Sequence, residues 1–412
     1  MRFIFRGHDS WGFFAQACLL DGAVLEPVAG NVAPSEGAYL CIVPVLDAWR
    51  VIRGLARQRG VRYFGDDIEP AVLADVRAGR ALIVFDICNE APVFHADVFG
   101  DLHRYAAERR IAMPRMVWLS QNRAIEAAYR AAYQVPDAYC MGFETYDFWT
   151  KNSVWMFAQG DRAGIEGHVA AMFDAGAKDR LLLCLNAAPR VHRVVTVAGL
   201  MHLGVFEESL VSFAGLGHGK DGDVGDAEGV GRFLAAYPGL GYLREACTAA
   251  MGLRGLRVDG ISETGNALFD KIDVGPYRRT FFSLVTETEA SGGEVDRATE
   301  KLIKAFGLGH PTMVVGNPRT LRFATELGFE DFSPVVGAAY DLEVDPGRRL
   351  GMVFEQVMAV RAAIRRDPVG WLGAVREIGA ANARLAMGGG ARAAYVAMYD
   401  RPVLARLLVL IS

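Results

Sequence analysis

Short apolar runs alternate with amphipathic stretches over approximately the first 175 residues, in the manner typical of repeated βα units. The apolar runs predict strands at RFIF, YLCIVPVL, VRYFG, ALIVFDI and RMVWLS. Helices are predicted over Asp47–Gln58, Glu69–Ala78 and Val98–Arg110. Because strands joined through helices pair in parallel, we expect an open sheet whose ligands bind at the carboxyl ends of its strands.

A second alternating set begins near Arg180. Strands are predicted at RLLLCLN, FEESLVSF, TFFSLVTET and HPTMVVG, and helices from Pro189 to Gly204, from Thr299, over Pro318–Leu327 and over Arg348–Arg366. The glycine-rich stretch Gly215–Gly231 predicts an exposed loop. We therefore predict an α/β protein with two Rossmann-like domains that face a cleft. Their expected ranges are residues 1–175 and 176–366, followed by C-terminal helices over 367–412 that pack back on the N-terminal domain.

The composition narrows the class of protein. Hydrophobic residues make up 52% and charged residues 22% of the 412 positions, as in globular proteins, and a net charge of −4 argues against a nucleic-acid partner. The six cysteines are scattered without a Cys-x-x-Cys pair, which favours free thiols in a reducing, cytoplasmic setting. We expect neither a secretory signal nor a membrane span, since the N-terminus is polar early and no apolar run is long enough.

The segment Thr280–Gly316 carries the strongest functional signal. Thr299, Glu300 and Lys301 begin a helix between two buried strands, and the first strand ends at Glu287. A helix N-terminus and a lysine suit the phosphates of a nucleotide diphosphate, and a carboxylate can accept bonds from ribose hydroxyls. The alternative is a pair of ordinary surface charges in a first helical turn.

Two arginine groups extend this interpretation. Arg190 and Arg193 follow a strand that ends at Asn186, and they share one face of the next helix, where planar guanidinium groups could bind phosphate oxygens. The alternative is that they face solvent on an amphipathic helix. Arg278 and Arg279 precede the strand at Thr280 as a second basic pair, for which a basic strand entry is the alternative to a ligand contact.

The segment resembles the nucleotide-binding half of the alpha-1,3-fucosyltransferases, through Val285–Thr288, Thr299–Lys301 and Pro311–Gly316. It is also similar to uncharacterised bacterial and phage glycosyltransferase-like proteins, which continue with Gly316-Asn317-Pro318. The resemblance implies a GT-B fold and a nucleotide-sugar donor, GDP- or UDP-linked, bound by the C-terminal domain, with Asn317 and one of Arg278 and Arg279 near the donor. Thr286 and Thr288 replace the family's Phe and Asn, which leaves the transferred sugar open.

An inverting sugar transfer needs a base that takes the proton of the acceptor hydroxyl. Glu90 and Asp86 follow a buried strand of the first domain and are the candidates, with His95 and Glu144 as substitutes. For Glu90 the alternative is a loop carboxylate without catalytic role. We expect no metal or other cofactor, because lysine and arginines would neutralise the diphosphate, and Asp221-Gly222-Asp223 favours a solvated linker.

Three functions fit these patterns. The first is a metal-independent, inverting glycosyltransferase that acts on a glycan or another hydroxyl acceptor. The second is a nucleotide-sugar epimerase, which would need no separate acceptor pocket. The third is a non-catalytic protein that binds nucleotides or glycans on the same scaffold.

Overall fold

The computed structural model describes residues 2–5, 14, 26–27, 33–34, 36–44, 68–160, 164–186, 189–215, 226–258 and 272–411. These residues form an α/β protein with one parallel and one mixed β-sheet. The chain divides into unit 1, Met1–Lys151 with Glu294–Arg297 and Tyr395–Ser412, and unit 2, Asn152–Gly293 with Ala298–Ala394. The division falls at Lys151, earlier than the expected boundary near residue 175. The predicted helix Asp47–Gln58 and the predicted strand VRYFG lie outside the described residues.

Unit 1 is built on a parallel sheet with the strand order β2-β1-β3-β4-β5-β6. Its strands are β1 (Arg2–Phe5), β2 (Glu26–Pro27), β3 (Tyr39–Pro44), β4 (Ala81–Ile87), β5 (Met116–Ser120) and β6 (Gly142–Thr145). Every residue of β4 and β5 is buried, as expected for parallel strands covered on both faces. The helices of the unit include α1 (Pro70–Arg77), α2 (Ala96–Glu108) and α3 (Ile125–Tyr133), and α4 (Phe148–Ala158) contains the boundary at Lys151.

The end of the chain belongs to unit 1 because buried polar contacts attach it there. A π-helical turn at Val396–Asp400 follows α15 (Gly390–Tyr395) and precedes α16 (Arg401–Ile411) in the described chain. Asp400 accepts hydrogen bonds from Lys151 Nζ at 2.6 Å and from the Tyr146 hydroxyl at 2.7 Å. These partners are far apart in sequence, so no local sequence pattern predicts the contacts.

Unit 2 carries a five-stranded sheet with the order β11-β10-β7-β8-β9. Its strands are β7 (Arg180–Asn186), β8 (Leu210–Gly215), β9 (Arg254–Leu256), β10 (Thr280–Thr286) and β11 (Thr312–Val315). Only β9 runs antiparallel among these strands. The helices are α5 (Ile165–Met172), α6 (Val191–His202), α7 (Ala227–Ala236), α8 (Arg244–Gly252), α9 (Gly275–Arg279), α10 (Glu300–Gly307), α11 (Arg322–Glu326), α12 (Ser333–Val336), α13 (Pro346–Arg366) and α14 (Pro368–Met387).

Three predicted bounds in unit 2 were wrong. β8 begins at Leu210 instead of Phe206, because the acidic start of that run lies in a turn. The predicted loop ends before Ala227, since Asp226 accepts the N–H of Gly229 and caps α7. Between residues 318 and 327, only α11 is α-helical.

The C-terminal helix α14 packs on the turn that follows α10 through two glycines. Gly309 has φ +71°, and a Cβ there would lie 2.2 Å from the carbonyl oxygen of Gly379. A Cβ on Gly379 would meet Gly309 O at 2.4 Å and the ring of Phe173. The backbones therefore approach too closely for any side chain, and this contact seats α14 in the core of unit 2.

Candidate functional site

The strand order of unit 2 determines where a ligand would approach its sheet. β7 is central, the chain adds β8 and β9 on one side, and it then adds β10 and β11 on the other. β7 and β10 are parallel neighbours whose carboxyl ends are Asn186 and Thr286. In open α/β sheets, ligands bind at the carboxyl edge where the strand order reverses. The candidate site is the edge next to these two residues.

Two helices begin near this edge. Arg190 is the N-cap residue of α6, which follows β7, and Thr299 is the N-cap residue of α10, which follows β10. The Thr299 hydroxyl accepts the backbone N–H of Lys301 at 3.4 Å, which confirms the predicted helix start. A helix N-terminus offers unpaired N–H groups and partial positive charge, so both termini favour an anionic ligand.

Glu287 joins the end of β10 to the start of α10. It is 2% exposed, and its carboxylate accepts the Thr299 backbone N–H at 3.2 Å and the Thr299 hydroxyl. Burial raises the pKa of Glu287, while Lys301 and the Thr299 hydroxyl act in the lowering direction. Both carboxylate oxygens therefore accept hydrogen bonds from Thr299. Glu287 anchors the start of α10, and its carboxylate is not exposed to a sugar hydroxyl.

Lys301 remains partly open to solvent, with a side chain 27% exposed. Its Nζ donates to Glu300 Oε1 at 2.9 Å and to Thr299 Oγ1 at 3.3 Å. Burial would raise the pKa of Glu300, but the charge and hydrogen bond of Lys301, with the charge of Lys304, hold it below its usual value. Lys301 thus balances the charge of the buried Glu300 carboxylate.

His192 and Arg193 hold the backbone at the end of β10. His192 Nε2 lies 2.9 Å from the carbonyl oxygen of Glu287, so this nitrogen carries the ring proton. Arg193 Nη2 donates to the carbonyls of Glu287 at 3.0 Å and Thr286 at 3.4 Å, and Arg193 is only 3% exposed. Burial lowers the pKa of His192 to about 3 and that of Arg193 to about 10. Arg193 is therefore a buried positioning group, which excludes the alternative that it faces solvent.

Arg190 lies at the surface of the same cluster. Its Nη1 is 3.7 Å from Glu289 Oε1, and the two side chains are 22% and 15% exposed. The charges of Arg190, Glu289 and Glu300 all influence the pKa of Arg193. The predicted groups on α6 and α10 therefore form one electrostatic cluster within unit 2.

The two predicted asparagines have internal partners. Asn186 Oδ1 accepts the hydroxyl of Thr286, and its Nδ2 is 3.2 Å from Cys184 Sγ, so it ties β7 to β10. Asn317 Oδ1 accepts the backbone N–H of Ser291 at 2.8 Å and its hydroxyl at 2.9 Å. Asn317 thus fixes the loop that follows Glu287.

Arg349, which was not predicted from the sequence, binds the same loop as Asn317. Its Nη2 donates to the carbonyl oxygen of Ser291 at 2.6 Å, and its Nη1 donates to that of Glu343 at 2.6 Å. Arg349 and His192 border a cavity of about 10 Å³ with a mostly apolar lining, room for roughly one water molecule. Arg349 follows a proline-initiated helix start and resembles any first-turn arginine, so only its long-range contact to Ser291 reveals its role.

Arg278 and Arg279 lie away from this cluster. They end α9 and precede β10, which places them at the amino end of that strand. β10 has seven residues, so its two ends are about 20 Å apart. Arg279 Nη2 pairs with Asp179 at 2.7 Å near the amino end of β7. The structure does not bring these two arginines together with Lys301, and the expected phosphate contact has no support in this placement.

In unit 1, Asp86 is enclosed. It is 1% exposed, and its carboxylate accepts the backbone N–H groups of Phe14 at 2.8 Å and Cys88 at 3.2 Å. Burial raises the pKa of Asp86, and the hydrogen bonds act in the lowering direction. A base must reach the proton that it removes, so Asp86 anchors Phe14 and is not available to an acceptor in this conformation.

Glu90 keeps the access that a base requires. Its side chain is 33% exposed, and Oε2 lies 3.9 Å from Nη2 of Arg297. The two substitute candidates, Glu144 and His95, are less accessible. Glu144 is buried in an ion pair with Arg406, and His95 Nε2 is buried without a hydrogen-bond partner among the described residues. Of the predicted carboxylates in unit 1, Glu90 is the one that solvent reaches most readily.

Within the described ranges, no three His, Cys, Asp or Glu side chains are arranged to hold a metal ion, and Asp221-Gly222-Asp223 lies outside those ranges. No helix in the described part of the chain combines the length and apolar character needed to cross a membrane. Comparison of the chain with protein-family models, characterised proteins and solved structures finds no significant match.

Proposed function

We propose that this chain is a GT-B glycosyltransferase that moves a sugar from a GDP- or UDP-linked donor to a hydroxyl acceptor without a metal ion. One observation carries the proposal. Two helix N-termini and the partly exposed cations Arg190 and Lys301 gather where the strand order of unit 2 reverses, between β7 and β10. That position and chemistry suit a nucleoside diphosphate.

The proposed role of the cations follows from the reaction. Transfer breaks the bond between the anomeric carbon and the diphosphate oxygen, and negative charge develops on the departing diphosphate. Arg190, Lys301 and the N–H groups of α6 and α10 would stabilise that charge. Arg193 acts indirectly, since its bonds to the end of β10 fix the backbone beside them.

The proton from the acceptor requires a separate group. As the acceptor oxygen bonds to the anomeric carbon, its proton passes to a carboxylate base. We assign this role to Glu90, because it is accessible whereas Asp86 and Glu144 are buried in internal contacts. Non-catalytic nucleotide binding is the second candidate, favoured by the engagement of Glu287 and Asp86 inside the protein.

The test begins with a thermal-shift panel of nucleoside diphosphates and their sugars. The donor that stabilises the chain is then incubated with and without candidate acceptors, and the products are identified by mass spectrometry. Free nucleoside diphosphate together with a glycosylated acceptor would support transfer, and isomerised donor would indicate an epimerase. Binding without turnover, unchanged in Glu90→Gln, would replace the proposal with the non-catalytic alternative.

A further inference from the structure

A partly exposed lysine, Lys178, lies at the amino edge of the unit 2 sheet, the edge opposite the candidate site. It precedes β7 by two residues, and its Nζ donates to the carbonyl oxygens of Thr280 at 2.7 Å and Tyr277 at 3.2 Å. Within the described ranges, no carboxylate forms an ion pair with this lysine. The proposed sugar transfer gives Lys178 no role.

The two carbonyl oxygens suit a neutral amine better than an ammonium group. An ammonium group has three N–H donors, and the third would have no protein acceptor among the described residues. A neutral amine places its two N–H groups on the two carbonyls, and its lone pair then points away from them. Burial lowers the pKa of Lys178 to about 7, while the charge of Asp174 acts in the raising direction. Part of the amine is therefore neutral near pH 7, and a neutral amine is a nucleophile.

The neighbouring titratable groups do not supply the missing acceptor. His310 Nε2 lies 3.0 Å from the same Thr280 carbonyl oxygen and donates to it. Burial, together with the charge of Lys178, lowers the pKa of His310 to about 3, so this ring is neutral. Asp179 follows Lys178 directly, but its carboxylate pairs with Arg279 at 2.7 Å. The amine thus keeps its lone pair for a reagent.

Arg278 adds a positive charge to this edge. It is exposed and follows Tyr277 directly in α9, and its guanidinium group makes neither a hydrogen bond nor an ion pair in the described part of the chain. Its charge also acts on His168, whose pKa is lowered first by burial. An anionic reagent is therefore attracted toward Lys178, and a departing phosphate can accept hydrogen bonds from Arg278.

We propose that Lys178 is an acylation site that reacts with acyl phosphates. The Nζ lone pair forms a bond to the acyl carbon, the bond between that carbon and the phosphate oxygen breaks, and phosphate leaves with the electron pair. One amine proton passes to solvent. The resulting amide keeps one N–H for the carbonyl of Thr280, and the carbonyl of Tyr277 retains the Thr280 hydroxyl at 3.4 Å. The fold therefore accommodates the modification.

The test follows acylation of Lys178 in the full chain by peptide mass spectrometry, with acetyl phosphate and with the uncharged acyl donor N-acetoxysuccinimide. The matched reference is the same lysine in the urea-denatured chain, where its pKa is that of an ordinary lysine, about 10.4. At pH 7, we expect native Lys178 to react at least about tenfold faster than denatured Lys178 with either reagent. The native rate should level off above about pH 8, whereas the denatured rate should keep rising to about pH 10.

Two arginine variants test the preference for acyl phosphates. Arg278→Ala should slow the reaction with acetyl phosphate roughly three- to tenfold and leave that with N-acetoxysuccinimide unchanged. Arg254→Ala is the control, because it removes an exposed arginine at the carboxyl end of β8, and it should change neither rate. Thermal melts establish that both variants fold.

The outcomes separate the parts of the proposal. Native Lys178 that reacts no faster than denatured Lys178 at pH 7, or a native rate that still rises above pH 8, would overturn the acylation site. Equal rates of Arg278→Ala and Arg254→Ala with acetyl phosphate would overturn the preference for acyl phosphates. None of these rates depends on the proposed sugar transfer.

Discussion

Replacement of Lys301 by alanine is the sharpest test of the proposed donor site. The lysine ammonium is partly exposed and is held at the N-terminus of α10 by Glu300 at 2.9 Å and by the Thr299 hydroxyl at 3.3 Å. Both partners are buried, with Glu300 5% and Thr299 3% exposed, whereas the lysine is partly exposed, so a ligand phosphate would compete with them for the ammonium group. Lys301→Ala removes this charge and preserves the helical backbone, since alanine is a strong helix former.

Replacement of Lys301 should affect both the stability of the fold and the binding of a ligand. The Lys301 side chain is 27% exposed, but that of Glu300 is only 6% exposed, so the loss of the lysine leaves a buried carboxylate without its nearest cation and should lower the free energy of unfolding by about 2–4 kcal/mol. A charged hydrogen bond to a phosphate contributes about 2–3 kcal/mol, which corresponds to a roughly 30–150-fold weaker affinity for the nucleoside diphosphate. The loss in turnover should be larger still, because negative charge grows on the leaving group.

The assay compares calorimetric affinities and urea unfolding curves for Lys301→Ala and Arg279→Ala. Arg279 is also a surface cation, paired with Asp179, but it lies at the amino end of β10. We expect Arg279→Ala to bind like the wild type. If the two variants lose affinity equally, or if Lys301→Ala binds normally, the assignment of the carboxyl edge as the donor site is refuted.

Further predictions concern the frame that supports this edge. Gly379→Ala should lower the free energy of unfolding by roughly 1–3 kcal/mol, because its Cβ would lie 2.4 Å from a backbone carbonyl oxygen. Gly373→Ala, in open space on the same helix, should raise it by about 0.5–1 kcal/mol in the same urea melts. Thr299→Val should lower the free energy of unfolding by about 1–2 kcal/mol through loss of the N-cap hydroxyl, and Thr299→Ser should retain most of that stability. Acidification from pH 7 to pH 5 should destabilise the fold through His192 and His310, each by about 2 kcal/mol.

The sign of the pH effect follows from the buried rings. Burial lowers the pKa of both His192 and His310 to about 3, so the unfolded chain takes up protons first as the pH falls. The stability that the neutral rings contribute is present above the unfolded pKa and is lost between about pH 6.5 and pH 3. Burial raises the pKa of Asp341 to about 6, which acts in the opposite direction. The contribution of one ring is therefore measured as a difference: His310→Gln should lose about 2 kcal/mol less stability than the wild type between pH 7 and pH 5, and an equal loss would show that the ring is not buried as a neutral group.

Elements with a continuous apolar run were predictable from sequence. β4, β7, β10 and β11 coincide closely with their predicted runs, because buried parallel strands need apolar residues on both faces. β6 was missed because Gly142–Thr145 contains no such run. The assignment of residues 395–412 to unit 1 depends on contacts such as that of Asp400 with Lys151, whose partners are separated by most of the chain.

Within the site, the sequence indicated residue types and chain order but not their accessibility. Arg190 and Arg193 look equivalent on one helical face, yet the first is partly exposed and the second is buried against the end of β10. Arg278 and Arg279 precede a strand, and residues that precede a strand lie at its amino end. Strand direction alone therefore argues against their grouping with Lys301, and the expectation that they contact the donor rested on the family resemblance.

The difference between ligand-facing and anchoring cations leads to a last prediction. Arg193→Gln removes the positive charge together with the planar group that reaches the carbonyls of Thr286 and Glu287. Nucleotide affinity should fall because the edge is no longer fixed, while its dependence on salt concentration stays as in the wild type. Lys301→Ala should instead reduce that dependence, because a charge that contacts phosphate is lost. If Arg193→Gln reduced the salt dependence as strongly as Lys301→Ala, Arg193 would contact the ligand directly, and the division between anchors and ligand-facing groups would fail.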